Sequence, residues 1–212
     1  MKPTEKRCYD GQEFRAVDSD NEKIIEGHAA IFEQRTNIGG IFYEVIDRNA
    51  FNETSLRDVA LFVNHDATQI PLARSRRNNG NSSMTLTVDD KGLAIRARLD
   101  VDNNPAAKSL FSAVARGDVD GMSFAFTVEA EEWQDLNSEM PTRRIKKFGR
   151  VFEVSACNFP AYEGTDLHAR EAANTLESAK KALDNARVQS LDNDKANEIE
   201  ILRLKNRILG GY

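Results

Sequence analysis

Three short segments carry side chains that could do covalent chemistry. In residues 121–126, GMSFAF, strand alternation puts Met122, Phe124, Phe126 and Val128 on one face and Ser123, Ala125 and Thr127 on the other. A nucleophilic hydroxyl on a strand needs such a small-residue face, because it must reach a substrate carbonyl lying in a groove. An ordinary strand with an outward serine has the same pattern. In residues 63–66, VNHD, His65 stands where the apolar run 60–63 gives way to a polar turn. A general base must be partly accessible and needs a hydrogen-bonding partner, and strand ends supply both. In residues 151–157, VFEVSAC, Phe152, Val154 and Ala156 alternate with Glu153, Ser155 and Cys157. A carboxylate inside an apolar strand requires a compensating partner, and an imidazolium or a cross-strand Arg or Lys would serve.

The competing candidates have less support. His28 follows Gly27 inside an apolar run, the setting of a packed imidazole, and His168 begins a polar tail. A metal site built from His28, His65 and Cys157 would lack metal-ligand spacing, so no metal or organic cofactor is expected. Cys8 and Cys157 are too few and too far apart to read as a disulfide framework. Neither GxSxG nor HExxH occurs.

Residues 14–162 show short alternating apolar runs separated by polar or Gly-containing turns, the signature of a sheet or barrel. The expected strands are 24–32, 41–46, 60–65, 84–88, 93–99, 121–133 and 143–158, with the turn at 89–92 joining two of them as a hairpin. A second hairpin is expected where Glu129, Glu131 and Glu132 can face Arg143, Arg144 and Lys146. Asn104 as cap, Pro105 in the first turn, the stripe Leu110, Phe111 and Val114, and Gly117 as stop predict a helix.

After Gly164 the composition shifts to Ala, Leu, Glu, Lys, Asn and Asp. Ala172, Leu176, Ala179, Leu183 and Ala186 form a narrow seam that needs a partner. Asp192, Asn193, Asp194 and Asn197 weaken the middle before Ile199, Leu202 and Leu209 resume the pattern ahead of Gly210 and Gly211. The expected class is α+β, with a β-barrel domain and flanking helices over residues 1–164 and a helical tail over 165–212.

With 29 Lys and Arg against 34 Asp and Glu in 212 residues, the formal charge is −5, and nucleic acid is a poor expectation for a partner. No apolar run is long enough for a signal-peptide core or a membrane span, so a soluble, cytoplasmic chain without a membrane partner is expected.

Taken singly, the three segments are unspecific. Their order is more informative: VNHD at 63–66, DDKGL at 89–93, ARGDVDGMSFAF at 115–126 and FEVSACNFPAY at 152–162. With Glu44, Ile46, Asn49, Ala50 and Phe51 upstream, that order resembles the prohead maturation serine proteases of tailed bacteriophages, relatives of the herpesvirus capsid assembly proteases. The resemblance covers about residues 26–162. It implies a serine endopeptidase on a β-barrel, with His65 as general base, Ser123 as nucleophile and no cofactor.

The herpesvirus enzymes use a second histidine as third member. This sequence has none between Ser123 and His168, and Glu153 is the best substitute. Their arginine pair follows the third member, whereas Arg143 and Arg144 precede Glu153, so that role is not transferred. The implied substrates are the major capsid protein, including its scaffold region, and the protease itself, with autoprocessing or self-association inside an immature prohead in the host cytoplasm. The alternative is a non-catalytic capsid assembly or scaffolding module.

Overall fold

The computed structural model describes residues 3–9, 13–19, 22–76, 80–157 and 169–209. Its frame is a long antiparallel hairpin, β10 (Gly121–Gln134) and β11 (Thr142–Cys157). β1 (Glu5–Tyr9) lies antiparallel on the outer edge of β10. On the other side of β11, β5 (Phe42–Ile46) and β6 (Ala60–Val63) pair with it in parallel, at different points along its length. β4 (Thr36–Ile38) and β7 (Ala73–Arg74) complete this seven-stranded sheet by pairing with β5 and β6. A second sheet has the order β2 (Arg15–Ser19), β3 (Glu22–Ile31), β9 (Gly92–Leu99) and β8 (Met84–Val88).

The α+β class therefore stands, but the expected barrel is corrected. Among the described residues the strands form two sheets with no ladder joining them into a closed ring. Alternation along a strand records which face is buried, and it reads the same whether a sheet closes on itself or packs against another. Inner faces of both sheets share one core, in which Phe51, Phe124, Phe126 and Phe148 stack with ring centroids 4.5–6.2 Å apart. In β9, Leu93, Ile95, Ala97 and Leu99 are buried while Arg96 and Arg98 point outward, as alternation requires. Register shifts at 125–126 and 127–131 bend β10 against β11.

Helix α1 (Pro105–Arg116) has the expected ends. The Asn104 side chain accepts from the backbone N–H groups of Ala106 and Ala107, and Gly117 closes the helix at φ 76°, where a side chain would be strained. The tail forms one helix, α2 (Ala169–Leu209), that runs through the weakened middle. Asp and Asn each lower helix propensity by only a few tenths of a kcal/mol, to about 0.7 at most, and the flanking Ala, Leu, Lys and Glu carry the helix through.

Ala179 and Leu183 of the seam are buried with Ile38 and Phe42, and Trp133 and Leu136 pack alongside. Beyond Arg187, whose Nε donates to the Leu136 carbonyl at 3.2 Å, the apolar residues Val188, Leu191, Ile199, Leu202 and Ile208 are exposed. The domain boundary at 164–165, Asn158, His168, Gly210 and Gly211 lie outside the described residues, as do the side chains of Ala172 and Leu209. No described helix is long and apolar enough to cross a membrane.

Candidate active site

The paired segments of β10, β11 and β6 bring the three candidate residues together. Ser123 pairs with Ser155 across the hairpin and Ala125 with Glu153, so Ser123 and Glu153 lie on one face of neighbouring strands, two residues apart in register. β6 runs beside β11 in parallel, with Val63 opposite Ala156, and delivers the chain to that face just as the strand ends.

Asn64 and His65 then turn back with φ of 49° and 57°. Two consecutive non-glycine residues in the left-handed region cost of order 1–3 kcal/mol each and require support. Asn64 N–H donates to the Ala156 carbonyl at 2.9 Å, and His65 N–H to Ser155 Oγ at 3.2 Å. Asp66 N–H and Ala67 N–H donate back to the Val63 and His65 carbonyls.

This turn points the His65 ring between the other two side chains. Its Nε2 is 2.5 Å from Ser123 Oγ, and its Nδ1 is hydrogen-bonded to Glu153 Oε1. Ser155 Oγ donates to the other carboxylate oxygen, Oε2, at 2.9 Å. Burial pushes the Glu153 carboxyl upward, but the His65 bond and charge, the Ser155 hydroxyl and the nearby Lys6 charge outweigh it, and its pKa lies below the usual carboxylate value. Ionised, Glu153 can only accept, so Nδ1 carries the proton and Nε2 presents a lone pair to the serine hydroxyl.

Ser123 is 1% exposed and its Oγ also lies 2.7 Å from the Arg7 carbonyl oxygen of β1. The hydroxyl has one proton and two acceptors in reach. Arg7 continues into a second cluster, in which Glu5, Glu44 and Arg143 are buried and the exposed Glu131 pairs with Arg143 at the rim.

The sequence reading missed both β1 and Ser155. Alternation already put Ser155 on the Glu153 face, and that was the available signal. β1, EKRCY, carries no apolar period that would mark it as a strand. Of the basic residues read as facing β10 carboxylates, Arg143 reaches Glu131, whereas Arg144 goes to Glu33 and Asp47 and Lys146 to Asp47.

His28, read as a packed imidazole, is buried and bonds Asp89 through Nε2 at 2.9 Å. Cys157 is buried in β11 with its thiol 3.8 Å from the Ser155 carbonyl. Among the described residues, no group of three or more His, Cys, Asp or Glu side chains is arranged to hold a metal ion.

Comparison with known proteins gives the chain a family. The family model for caudovirus prohead serine proteases matches residues 11–181, a span holding all three candidate residues. The prohead protease of Enterobacteria phage HK97 is 30% identical over 174 residues, covering 81% of this chain and 71% of that protein. The structure of the bacteriophage T4 capsid assembly protease aligns with 73% of this chain and 96% of its own, at 14% identity and a TM-score of 0.44. The chain belongs to the caudovirus prohead serine protease family.

Proposed function

We propose that the chain is a serine endopeptidase of phage prohead maturation in which Ser123 is the nucleophile, His65 the general base and acid, and Glu153 the group that orients His65. The observation that carries this reading is the continuous line Ser123 Oγ, His65 Nε2, His65 Nδ1, Glu153 Oε1, with Ser155 bracing its end. His65 Nε2 takes the hydroxyl proton as Oγ attacks the peptide carbonyl carbon. Nδ1–H stays on the ring, and Glu153 stabilises the imidazolium that forms. When the C–N bond breaks, Nε2 returns the proton to the leaving amine. Water, deprotonated by the same nitrogen, then releases the acyl group.

The substrates under this reading are capsid-associated proteins, foremost the scaffold region of the major capsid protein and the protease's own chain, cut inside the immature prohead. The non-catalytic alternative makes the opposite prediction for one experiment. Capsid precursor is incubated with the parent chain and with Ser123→Ala. Processing by the parent alone supports the assignment, and equal processing by both removes it.

The tail has its own part in this proposal. Residues up to about Arg187 hold α2 against the sheet, so a separable recruitment segment comprises the exposed stretch from Val188 onward rather than the whole of 165–212. Removing that stretch should leave peptide cleavage intact and reduce incorporation into proheads. Unchanged incorporation would assign α2 a purely structural role.

A further inference from the structure

β1 is the strand that covers the serine. It adds antiparallel to the β10 edge, with Cys8 opposite Ser123, Arg7 opposite Phe124 and Lys6 opposite Ala125. Extended peptides dock on sheet edges in this manner, with backbone pairing for affinity and alternate side-chain pockets for selectivity. A protease acting on an extended substrate must place one carbonyl of such a strand at its nucleophile, and here the Arg7 carbonyl oxygen is 2.7 Å from Ser123 Oγ.

The Arg7 side chain points away from the serine into a buried polar slot. Nε donates to Glu44 Oε1 at 2.9 Å and Nη2 to Glu5 Oε2 at 2.7 Å. Arg143 Nη1 donates to Glu5 Oε2 at 2.7 Å and to Glu44 Oε2 at 3.0 Å.

We propose that β1 stands in the place of a bound substrate strand, with Arg7 at the position of the residue that supplies the scissile carbonyl, and that Glu44 makes this position selective for a basic side chain. The proposal rests on Ser123 being the nucleophile. Charge counting supports the selectivity. The slot holds the carboxylates of Glu5, Glu44 and Glu131 and the guanidinium groups of Arg7 and Arg143. When β1 leaves, it takes away one charge of each sign, and among the described ion pairs of the slot Glu44 and Glu131 still exceed Arg143 by one negative charge. A substrate Arg or Lys compensates that charge. An acidic side chain instead adds a further negative charge beside the buried Glu44 carboxylate.

The contact with β1 is also unproductive for cleavage. Attack needs the Oγ lone pair on the carbonyl carbon and the proton on His65, whereas a hydroxyl donating to the carbonyl oxygen directs its proton the other way. β1 thus blocks the site without being cut in this arrangement.

Two measurements on the full chain test the proposal. The first is the labelling rate of Ser123 by a fluorophosphonate probe. Arg7→Ala should label about tenfold faster than the parent or more, because β1 loses its buried anchor, and Arg7→Lys should label at the parent rate. Equal rates in all three overturn the covering role.

The second does not depend on how Arg7→Ala folds. Four peptides identical except for Arg, Lys, Gln or Glu at the scissile position are given to the parent and to Glu44→Gln. The parent should cleave the Arg and Lys peptides with about tenfold or higher kcat/KM, and Glu44→Gln should bring the four together. An unchanged preference in Glu44→Gln, a preference for Gln or Glu, or no cleavage of any peptide by a parent whose Ser123 labels each overturns the selectivity. Should Ser123→Ala label and cleave as the parent does, the nucleophile assignment fails instead.

Discussion

Two buried polar clusters sit on the β10–β11 hairpin, and they differ in whether their groups can exchange protons. Around Ser123 the partners are a hydroxyl, an imidazole and a carboxylate, linked in a line by hydrogen bonds. Around Arg143 the partners are two guanidinium groups and three carboxylates. Arginine does not give up its proton at accessible pH, and here its carboxylates push the Arg143 pKa still higher than usual despite burial, which acts to lower it. Such a cluster fixes geometry and has no proton to pass on. The imidazole cluster can move a proton between neighbours and so can do acid–base chemistry. Burial alone therefore does not mark a candidate reactive site. A chain of groups able to change protonation state does.

The largest test of that contrast is Ser123→Ala or His65→Ala. Either should lower kcat/KM for peptide cleavage by about 10⁴-fold or more, with the far-UV circular dichroism of the parent retained. A variant in the reactive line that retains full activity would erase the distinction. Glu153→Gln comes next. The amide cannot stabilise the imidazolium and permits the wrong ring tautomer, so a loss of about 10³- to 10⁴-fold is expected, mostly in kcat.

In the other cluster, Arg143→Met should act on stability. Glu5 and Glu44 would lose the Arg143 guanidinium, and breaking a buried pair in this way costs about 3–5 kcal/mol, read as a shifted urea midpoint. Smaller still is Ser155→Ala, which removes the donor to Glu153 Oε2 and the acceptor for His65 N–H. About a tenfold fall in kcat is expected, since one or two hydrogen bonds at that range are worth about 1–2 kcal/mol. A stability loss with kcat unchanged would make Ser155 a brace of the turn only.

The same contrast explains what could be read beforehand. β9, with buried Leu93, Ile95, Ala97 and Leu99, and α1, with its Asn104 and Gly117 ends, are set by local pattern, and the structure has them almost residue for residue. Ser123, His65 and Glu153 could be named because the ordered resemblance joined segments that are each unspecific alone. β1 could not be read, because its burial comes from ion pairs across the sheet rather than from an apolar period. Closure of a barrel was equally illegible. Alternation specifies the inner face of a strand but not its neighbour, and the parallel pairing of β5 and β6 with one long β11 is a long-range choice.

The finest test compares the two clusters by pH. Glu5 and Glu153 both sit below the ordinary carboxylate value of 4.5: burial pushes each upward, and Arg143 and Arg7 in one case, His65, Ser155 and Lys6 in the other, more than offset it. A carboxyl whose folded pKa is depressed binds fewer protons folded than unfolded between the two values. Its stabilisation is complete above the ordinary value and disappears as the pH falls through the depressed one.

The parent should therefore lose unfolding free energy on acidification below about pH 4.5, measured by urea titration at a series of pH values. Glu5→Gln and Glu153→Gln should each flatten that decline. Each should also lower stability at neutral pH by what its carboxylate contributes there, and they should differ in turnover, which Glu153→Gln removes while Glu5→Gln leaves the Ser123–His65–Glu153 line in place. An undiminished acid slope in Glu153→Gln would mean that the carboxyl beside His65 is not held ionised by the fold, and the division between a geometry-holding cluster and a proton-moving one would lose its basis at its most reactive member.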